Sequence, residues 1–352
     1  MFNPQRLIVI IFFLIGITAS GSNKTISDHT LKPHFIPRDV YYSWQWHLPG
    51  IKAPAAWDIT RGDPGVIIAV LDSGVDSAHP NLSGGKVMNG YNFVDDTSNT
   101  LTDSYGHGTM IAGIAAAPTG TGGVVGVCPD CSIMSVVIAD ARGICKDSAL
   151  ARGIRYAADR GAGVINISYG SALDNPELRD AVNYAWDRDV VIVASAGNEP
   201  GSSLSFPAAY ANVIAVSATD RDDNPASFTA HGTWIDVSAP GVDIVTTGLH
   251  GKYAAGSGTS FSAAIIAGLA GLVRSANPNL TNDQVADVIR NYSSDPGAAG
   301  HGIDYRTARL DLQKALMETI AVTAVNSTVK EDPRTRFNKR ALELTRLVNK
   351  AR

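Results

Sequence analysis

Three short segments of the chain carry side chains whose combination could transfer an acyl group. Asp72 lies in the segment AVLDSGVD, His107 in YGHGTMIAGIAA and Ser260 in GSGTSFSAAIIAGLAG. A serine hydroxyl becomes a nucleophile when a histidine takes its proton and a carboxylate orients that histidine. Asp72, His107 and Ser260 are therefore the candidate orienter, base and nucleophile of a covalent hydrolysis.

Each of these residues has an ordinary structural alternative when it is taken alone. An aspartate after a strand often belongs to a turn, a lone histidine is more often a surface or core residue, and a serine before a helix is usually its N-cap. Together, however, the three residues meet separate requirements of acyl transfer. Ser260 begins a long apolar segment, and the start of such a helix favours negative charge that develops nearby.

The order of the candidates along the chain separates the families that share this chemistry. α/β-Hydrolases have the order serine, acid, histidine, with the serine in a G-x-S-x-G turn. Here the order is Asp72, His107, Ser260, and the residues around the serine are GTSFS. Aspartate, histidine, serine is the order found in subtilisin. Residues 65–316 therefore resemble the catalytic domain of a subtilisin-like serine protease, a subtilase of peptidase family S8.

This resemblance implies a fold, an activity and a substrate class. The fold would be a three-layer α/β sandwich around one mostly parallel, doubly wound sheet. The protein would be a serine-type endopeptidase that acts on polypeptides and needs no cofactor for its chemistry. The alternative is a non-catalytic homologue that binds peptides, and within the enzyme class broad digestion competes with maturation of one partner.

The segment after the serine departs from the family pattern. Phe261, Ala264 and Ile265 stand where relatives commonly have methionine, proline and histidine. The setting of the nucleophile is retained, but the side-chain packing behind it must differ.

The resemblance also assigns residues that would bind the substrate and the oxyanion. Asn198, in the segment SAGN, would donate a side-chain hydrogen bond to the oxyanion beside the backbone N–H of Ser260. Ser168, Tyr169 and Gly170 would pair with an extended peptide. The pocket for the residue before the scissile bond would be lined by Tyr169, Gly170, Ser195, Ala196 and Gly197. Because no acidic residue is obvious in these segments, we expect a large apolar side chain in that pocket.

The elements that must position these residues follow from the hydrophobic pattern. Short runs rich in Val and Ile predict strands at 66–71, 135–138, 163–168, 190–196 and 213–217. Helical spacing predicts helices at 147–162, 177–187, 260–276 and 282–292. This alternation predicts an α/β sandwich with one parallel sheet, whose carboxyl edge carries the site.

Composition and charge exclude several classes of protein. The 352 residues are 45% hydrophobic and 18% charged, which excludes a disordered or collagen-like chain. Residues 333–352 hold seven Lys or Arg and one Glu, so this tail carries +6 and the rest of the chain −10. Since no basic stripe lies outside the tail, nucleic acid is not expected as the main partner. We expect a monomer.

The N-terminus has the pattern of a secretory signal. Arg6 precedes an apolar run at 7–17, and small residues follow at 18–21. Cleavage there would release a secreted, extracellular protein without a stable membrane span, and the alternative is an uncleaved anchor. We therefore predict a signal peptide at 1–20, a leader or short pro-segment at 21–50, the peptidase domain at 51–319 and a basic tail with helical spacing at 320–352.

The cysteines leave several states open. Cys128 and Cys131 form the segment CPDC, and Cys145 follows alone. A structural zinc site needs about four ligands, and no second CxxC or nearby His pair is present. A local disulfide is therefore favoured, although the other single pairings and the fully reduced state remain possible.

An acidic loop could hold a structural calcium ion. Asp95, Asp96 and Asp103, with Asn99 and Thr102, supply oxygen atoms, and Ca²⁺ binds about six to eight oxygens. The alternative is a solvated turn.

Overall fold

The computed structural model describes residues 34–292 and 310–328. The predicted signal peptide, the first part of the predicted leader and the basic tail beyond residue 328 lie outside the described residues. The helices are α1 (His47–Gly50), α2 (Ala53–Trp57), α3 (His107–Ala116), α4 (Asp147–Asp159), α5 (Pro176–Trp186), α6 (Thr259–Ala276), α7 (Asn282–Tyr292) and α8 (Leu312–Thr328). The strands are β1 (Ile67–Asp72), β2 (Val87–Asn92), β3 (Ser132–Val137), β4 (Val164–Ile167), β5 (Val191–Ser195), β6 (Ile214–Thr219), β7 (Val237–Pro240), β8 (Ile244–Thr247) and β9 (Tyr253–Gly256). Short 3₁₀ helices lie at Tyr42–Trp44 and Leu249–Gly251.

One parallel sheet organises the described chain. Its seven strands lie in the order β2-β3-β1-β4-β5-β6-β7, and β8 and β9 form a separate antiparallel pair. Strand β1 lies between β3 and β4, so the direction in which strands are added reverses there. In sheets of this kind ligands bind at the carboxyl ends of the strands where the order reverses. The end of β1, at Asp72, is therefore the expected place for a site.

Helices cover both faces of this sheet. Ile68 and Val70 of β1 face the core that contains α3 and α6, whereas Ala69 and Leu71 face the core that contains α4 and α5. Both kinds of position are buried, which explains the uninterrupted apolar runs of the strands. Among the described residues, α6 is the one helix long and apolar enough to cross a membrane, and 83% of it is buried inside the protein. It is thus the core helix of the sandwich.

The predicted fold class is confirmed. The predicted strands and helices are present, with ends that differ from the expected positions by at most three residues. The hydrophobic pattern missed β2, β7, β8 and β9, which lack long Val and Ile runs, and it missed α1, α2, α3 and the part of α8 before residue 320. The sequence of α3, HGTMIAGIAA, contains two interior glycines, which weaken a helix signal.

The cysteine states are resolved as well. Cys128 is bonded to Cys131, and Cys145 remains a buried free thiol. The favoured local pairing is therefore the one that the structure contains.

The described part of the predicted leader, residues 34–50, packs on the body. Gln45 donates to the carbonyl oxygen of Val125 at 2.8 Å and accepts from its N–H at 2.9 Å. Leu48, in α1, is fully buried. Asp39 accepts hydrogen bonds from the N–H groups of Gly120 and Gly122. Residues 34–50 thus contribute both core packing and backbone hydrogen bonds to the folded domain.

A buried histidine in this segment makes the stability of the folded protein depend on pH. His47 is fully buried, and neither ring nitrogen has a hydrogen-bond partner among the described residues. Burial lowers its pKa from 6.5 to about 3. Below pH 6.5, His47 is therefore protonated in the unfolded chain but stays neutral in the folded protein. The free energy of unfolding falls as the pH drops from 6.5 towards 3.

We expect His47→Gln to remove this pH dependence. Between pH 7 and pH 5 the free energy of unfolding of the unmodified protein should fall by about 2 kcal/mol more than that of the variant, since one pKa unit corresponds to about 1.4 kcal/mol. Urea unfolding at pH 7, 6 and 5 measures both. If the free energy of unfolding changed equally with pH in the unmodified protein and in the variant, the prediction would be contradicted.

Candidate active site

Asp72 and His107 are in contact because the end of β1 lies against the start of α3. His107 Nδ1 lies 2.9 Å from Oδ1 and 2.8 Å from Oδ2 of Asp72. The Asp72 side chain is 7% exposed and that of His107 is 25% exposed, so the ring closes the carboxylate off from solvent. The approach requires a glycine at position 108, because a Cβ there would overlap the carbonyl oxygen of Gly74 and lie 3.0 Å from Asp72 Cβ.

The surroundings of His107 favour its protonated form. Burial lowers the pKa of the ring, but the charge and hydrogen bond of Asp72 and the charge of Asp103 together outweigh it, so the pKa lies above 6.5. Asp72 occupies Nδ1, and Nε2 is the nitrogen left to take up a proton. This is the arrangement that a general base needs.

Ser260 lies in the first turn of α6, directly after Thr259. The ring of the next residue, Phe261, stands edge-on to the His107 ring with centroids 6.3 Å apart, so the start of α6 lies beside the candidate base. In the described part of the chain the hydrogen bonds of the His107 ring go to Asp72, and none joins this ring to Ser260. Catalytic hydrogen bonds are often long without substrate and tighten when it binds.

Asn198 is held against the same helix start. Its Oδ1 accepts from the N–H and from the hydroxyl of Thr259, both at 2.9 Å. The Thr259 hydroxyl in turn accepts from the N–H of Gly197 at 3.1 Å. Both partners of Oδ1 are donors, which fixes the orientation of the amide. The amide nitrogen of Asn198 is therefore the end that remains available to donate.

A pocket of about 190 Å³ opens beside the Asp72–His107 pair. It is lined by Leu71, Asp72, Tyr105, His107, Ile138, Ala139, Gly143, Cys145, Ser168 and Tyr169. Two of the predicted substrate-binding residues, Ser168 and Tyr169, thus border the candidate base. Burial, with the charges of Asp147 and Asp72, raises the pKa of the Cys145 thiol to about 12. Cys145 is therefore a wall of this pocket and not a nucleophile.

The predicted pocket for the residue before the scissile bond contains a side chain that sequence reasoning missed. The Ser205 hydroxyl lies 2.3 Å from the position that a Cβ on Gly170 would take and 3.9 Å from that of Gly197. Both glycines belong to the predicted pocket, and an antiparallel bridge between Ser171 and Phe206 holds the two segments together. Ser205 lies in a serine-rich loop without a motif, so the sequence carried no signal for it.

The three acidic residues proposed for calcium are not brought together. Asp96 is exposed and pairs with Arg152 at 3.1 Å. Asp103 is buried, and hydrogen-bond donors near His107 occupy its oxygens. No cluster of His, Cys, Asp or Glu that could hold a metal occurs among the described residues. Asp95, Asp96 and Asp103 therefore do not fit a calcium site.

Comparison with known proteins connects this arrangement to a family. The subtilase family matches residues 63–307. The chain is 43% identical over 284 residues to thermitase of Thermoactinomyces vulgaris. This match covers 80% of the chain and 99% of thermitase. It is 39% identical over 253 residues to subtilisin BL of Lederbergia lenta. That match covers 72% of the chain and 92% of subtilisin BL.

A solved structure from the proteases of Pseudoalteromonas arctica PAMC 21717 is similar as well. It superposes on this chain with a TM-score of 0.74 at 25% sequence identity. The match covers 80% of this chain and 99% of that one.

Because α3 lies so close to the end of β1, we expect substitution of Gly108 to lower the stability of the protein. Gly108→Ala should lower the thermal midpoint by several degrees, because overpacking of this kind costs about 1–3 kcal/mol. Gly163→Ala is the control, since a Cβ there would lie 4.0 Å from its nearest neighbour, the Ile67 carbonyl oxygen. Differential scanning calorimetry compares the two variants. Equal midpoints would show that α3 can move away from β1 at no cost.

Proposed function

The chain belongs to the subtilase family and is a serine-type endopeptidase, and from this premise we propose that Asp72, His107 and Ser260 are its catalytic triad. Its substrates would be polypeptides, and the reaction would be hydrolysis of the peptide bond through an acyl-enzyme. The observation that carries this proposal is the contact of both Asp72 oxygens with His107 Nδ1. It fixes the ring so that Nε2 can accept a proton.

In the proposed reaction the Ser260 oxygen attacks the carbonyl carbon of the scissile peptide while His107 Nε2 takes the hydroxyl proton. The new C–O bond gives a tetrahedral oxyanion. His107 then returns the proton to the leaving amine, the C–N bond breaks, and an ester remains on Ser260. A water molecule repeats both steps, with His107 again as base and acid, and restores the hydroxyl.

The oxyanion would be held by Asn198 and by the backbone N–H of Ser260. The bonds from Thr259 to Asn198 Oδ1 support this role, because they leave the amide nitrogen free to donate. Each such donor contributes about 3 kcal/mol to the stability of the transition state in enzymes of this kind. The N-terminus of α6 adds its partial positive charge at the same place.

The substrate would lie as an extended strand along Ser168, Tyr169 and Gly170, which follow β4 at the carboxyl edge of the sheet. Its residue before the scissile bond would enter the space between this segment and Ser195, Ala196 and Gly197. An apolar side chain suits that space, since no acidic residue lies in these segments. The Ser205 hydroxyl, which lies close to Gly170, would limit the depth of this space.

We propose secretion by the predicted signal peptide, with removal of the leader upstream of His34. The contacts of His34 and Phe35 with Asp58 support this boundary. The contacts of Gln45 and the burial of Leu48 argue against cleavage at residue 50, which would expose apolar core and unpaired backbone groups. The proposed chemistry uses no cofactor and no metal.

A fluorophosphonate probe tests the triad and the processing site together. We expect the mass of the secreted protein to increase by one adduct, which peptide mapping places on Ser260, and the mature N-terminus to lie before His34. Ser260→Ala should abolish the adduct. The matched control is Ser257→Ala, which alters an exposed residue three positions earlier, whose hydroxyl accepts from the Asp243 N–H, and should leave labelling unchanged.

Two outcomes would overturn these proposals. A folded protein that takes up no adduct would favour the non-catalytic peptide-binding homologue. A mature N-terminus at about residue 50 would show that residues 34–50 are a removable pro-segment.

The position of Ser205 predicts its effect on specificity. Ser205→Gly should deepen the pocket and raise kcat/KM for peptides with Phe or Trp before the scissile bond by about tenfold relative to peptides with Ala, the scale at which such pockets discriminate. Ser203→Gly alters an exposed residue of the same loop and serves as the control. Competing peptide substrates measured by mass spectrometry give both ratios. An unchanged ratio in the Ser205 variant would place the pocket elsewhere.

A further inference from the structure

Asp103 is a buried carboxylate at the point where the loop before α3 meets the end of β1. Its Oδ1 accepts from the Ser73 hydroxyl at 2.9 Å and from the N–H groups of Tyr105 and Gly106 at 3.0 and 2.8 Å. Its Oδ2 accepts from the N–H and the hydroxyl of Thr109 at 2.9 and 2.7 Å. All these partners are donors, as a carboxylate requires. Three of them belong to the first turn of α3 or to the residue that precedes it.

Ser73 connects this carboxylate to the proposed triad. Its hydroxyl donates to Asp103 and accepts from the N–H of Gly108 at 3.1 Å. Its own N–H donates to Asp72 Oδ1 at 2.8 Å. One chain of hydrogen bonds therefore runs from Asp103 through Ser73 to Asp72, and the same atoms hold the helix that begins with His107.

We propose that Asp103 is a positioning residue of the active site, which locks the start of α3 to the end of β1 and places a second negative charge near His107. This inference rests on the proposed function, since it takes His107 as the base. Asp103 itself does not touch the substrate or the reacting atoms.

A helix cap alone does not account for these contacts. A capping side chain needs only the bond to an N–H of the first turn, which Thr109 supplies. The bond to Ser73 adds a link to another element, and the charge of Asp103 acts on the ring of His107. Burial alone would lower the pKa of His107, and the charges of Asp72 and Asp103 reverse this effect.

The decisive experiment is an NMR titration of His107 in the inert Ser260→Ala background, which needs no activity. Asp103→Asn should lower the pKa of His107 by about half a unit or more, the effect of removing one nearby charge at a partly shielded site. Asp130→Asn is the control, because it removes the same charge at the amino end of β3, where Asp130 pairs with Arg61. A folded Asp103→Asn variant in which the pKa of His107 is unchanged would overturn the inference.

Ser73→Ala provides a second test that keeps the charge and breaks the link. We expect the rate at which the fluorophosphonate labels Ser260 to fall about tenfold or more, because a small displacement of a catalytic group has effects of this size. This variant decides the question if Asp103→Asn does not fold. Unchanged labelling in a folded Ser73→Ala protein would then overturn the positioning role.

The two proposals can fail separately. A protein that never reacts with the probe refutes the proposed function, while the His107 titration still shows whether Asp103 acts on the ring. A protein that reacts normally, with a titration insensitive to Asp103, refutes only the inference.

Discussion

The parallel register of the seven-stranded sheet is the constraint on which the rest of the structure depends. Parallel strands must be joined by crossovers that cover the faces of the sheet, and their carboxyl ends then lie along one edge. This places Asp72 at the end of β1 beside the residues that follow β4 and β5. α3 and α6 pack on one face of the sheet and begin near that edge, so His107 and Ser260 reach the same region from positions 153 residues apart in the sequence.

The N-termini of α3 and α6 both lie near this edge of the sheet, and they differ in the charge of the groups that bind them. The start of α3 is occupied by the Asp103 carboxylate, which accepts from its first N–H groups. The start of α6 holds neutral partners, since Asn198 accepts from Thr259 there. A partial positive charge that is not already paired with a carboxylate can stabilise a transient oxyanion. The distribution of permanent charge thus differs between α3, which carries the proposed base, and α6, which carries the proposed nucleophile.

The sequence predicted those parts of the fold and site that depend on pattern. Runs of Val and Ile identified the central strands because these are buried on both faces, and the order of three motifs identified the candidate triad. Contacts made by loop segments that have neither a hydrophobic pattern nor a motif could not be predicted from the sequence. Ser205 reaches Gly170, a residue of the proposed substrate pocket, through the pairing of its loop with the segment after β4. The carboxylate-rich loop predicts that Asp103 is a metal ligand, whereas the fold directs this side chain into the protein.

The residues after the proposed nucleophile depart from the family pattern, and the structure shows how they pack. Phe261 fits because position 256 is glycine, where a Cβ would lie 2.5 Å from its ring. Ala264 and Ile265 are fully buried; alanine keeps the N–H that proline lacks, and isoleucine needs no polar partner in the core. The body of α6 is held by these apolar contacts, by the Ser262 hydroxyl, which donates to the Ala239 carbonyl oxygen at 2.9 Å, and by the ion pair of Arg274 with Asp189. The hydrogen bonds of Thr259 with Gly197 and Asn198 hold the first turn of α6, which carries Ser260.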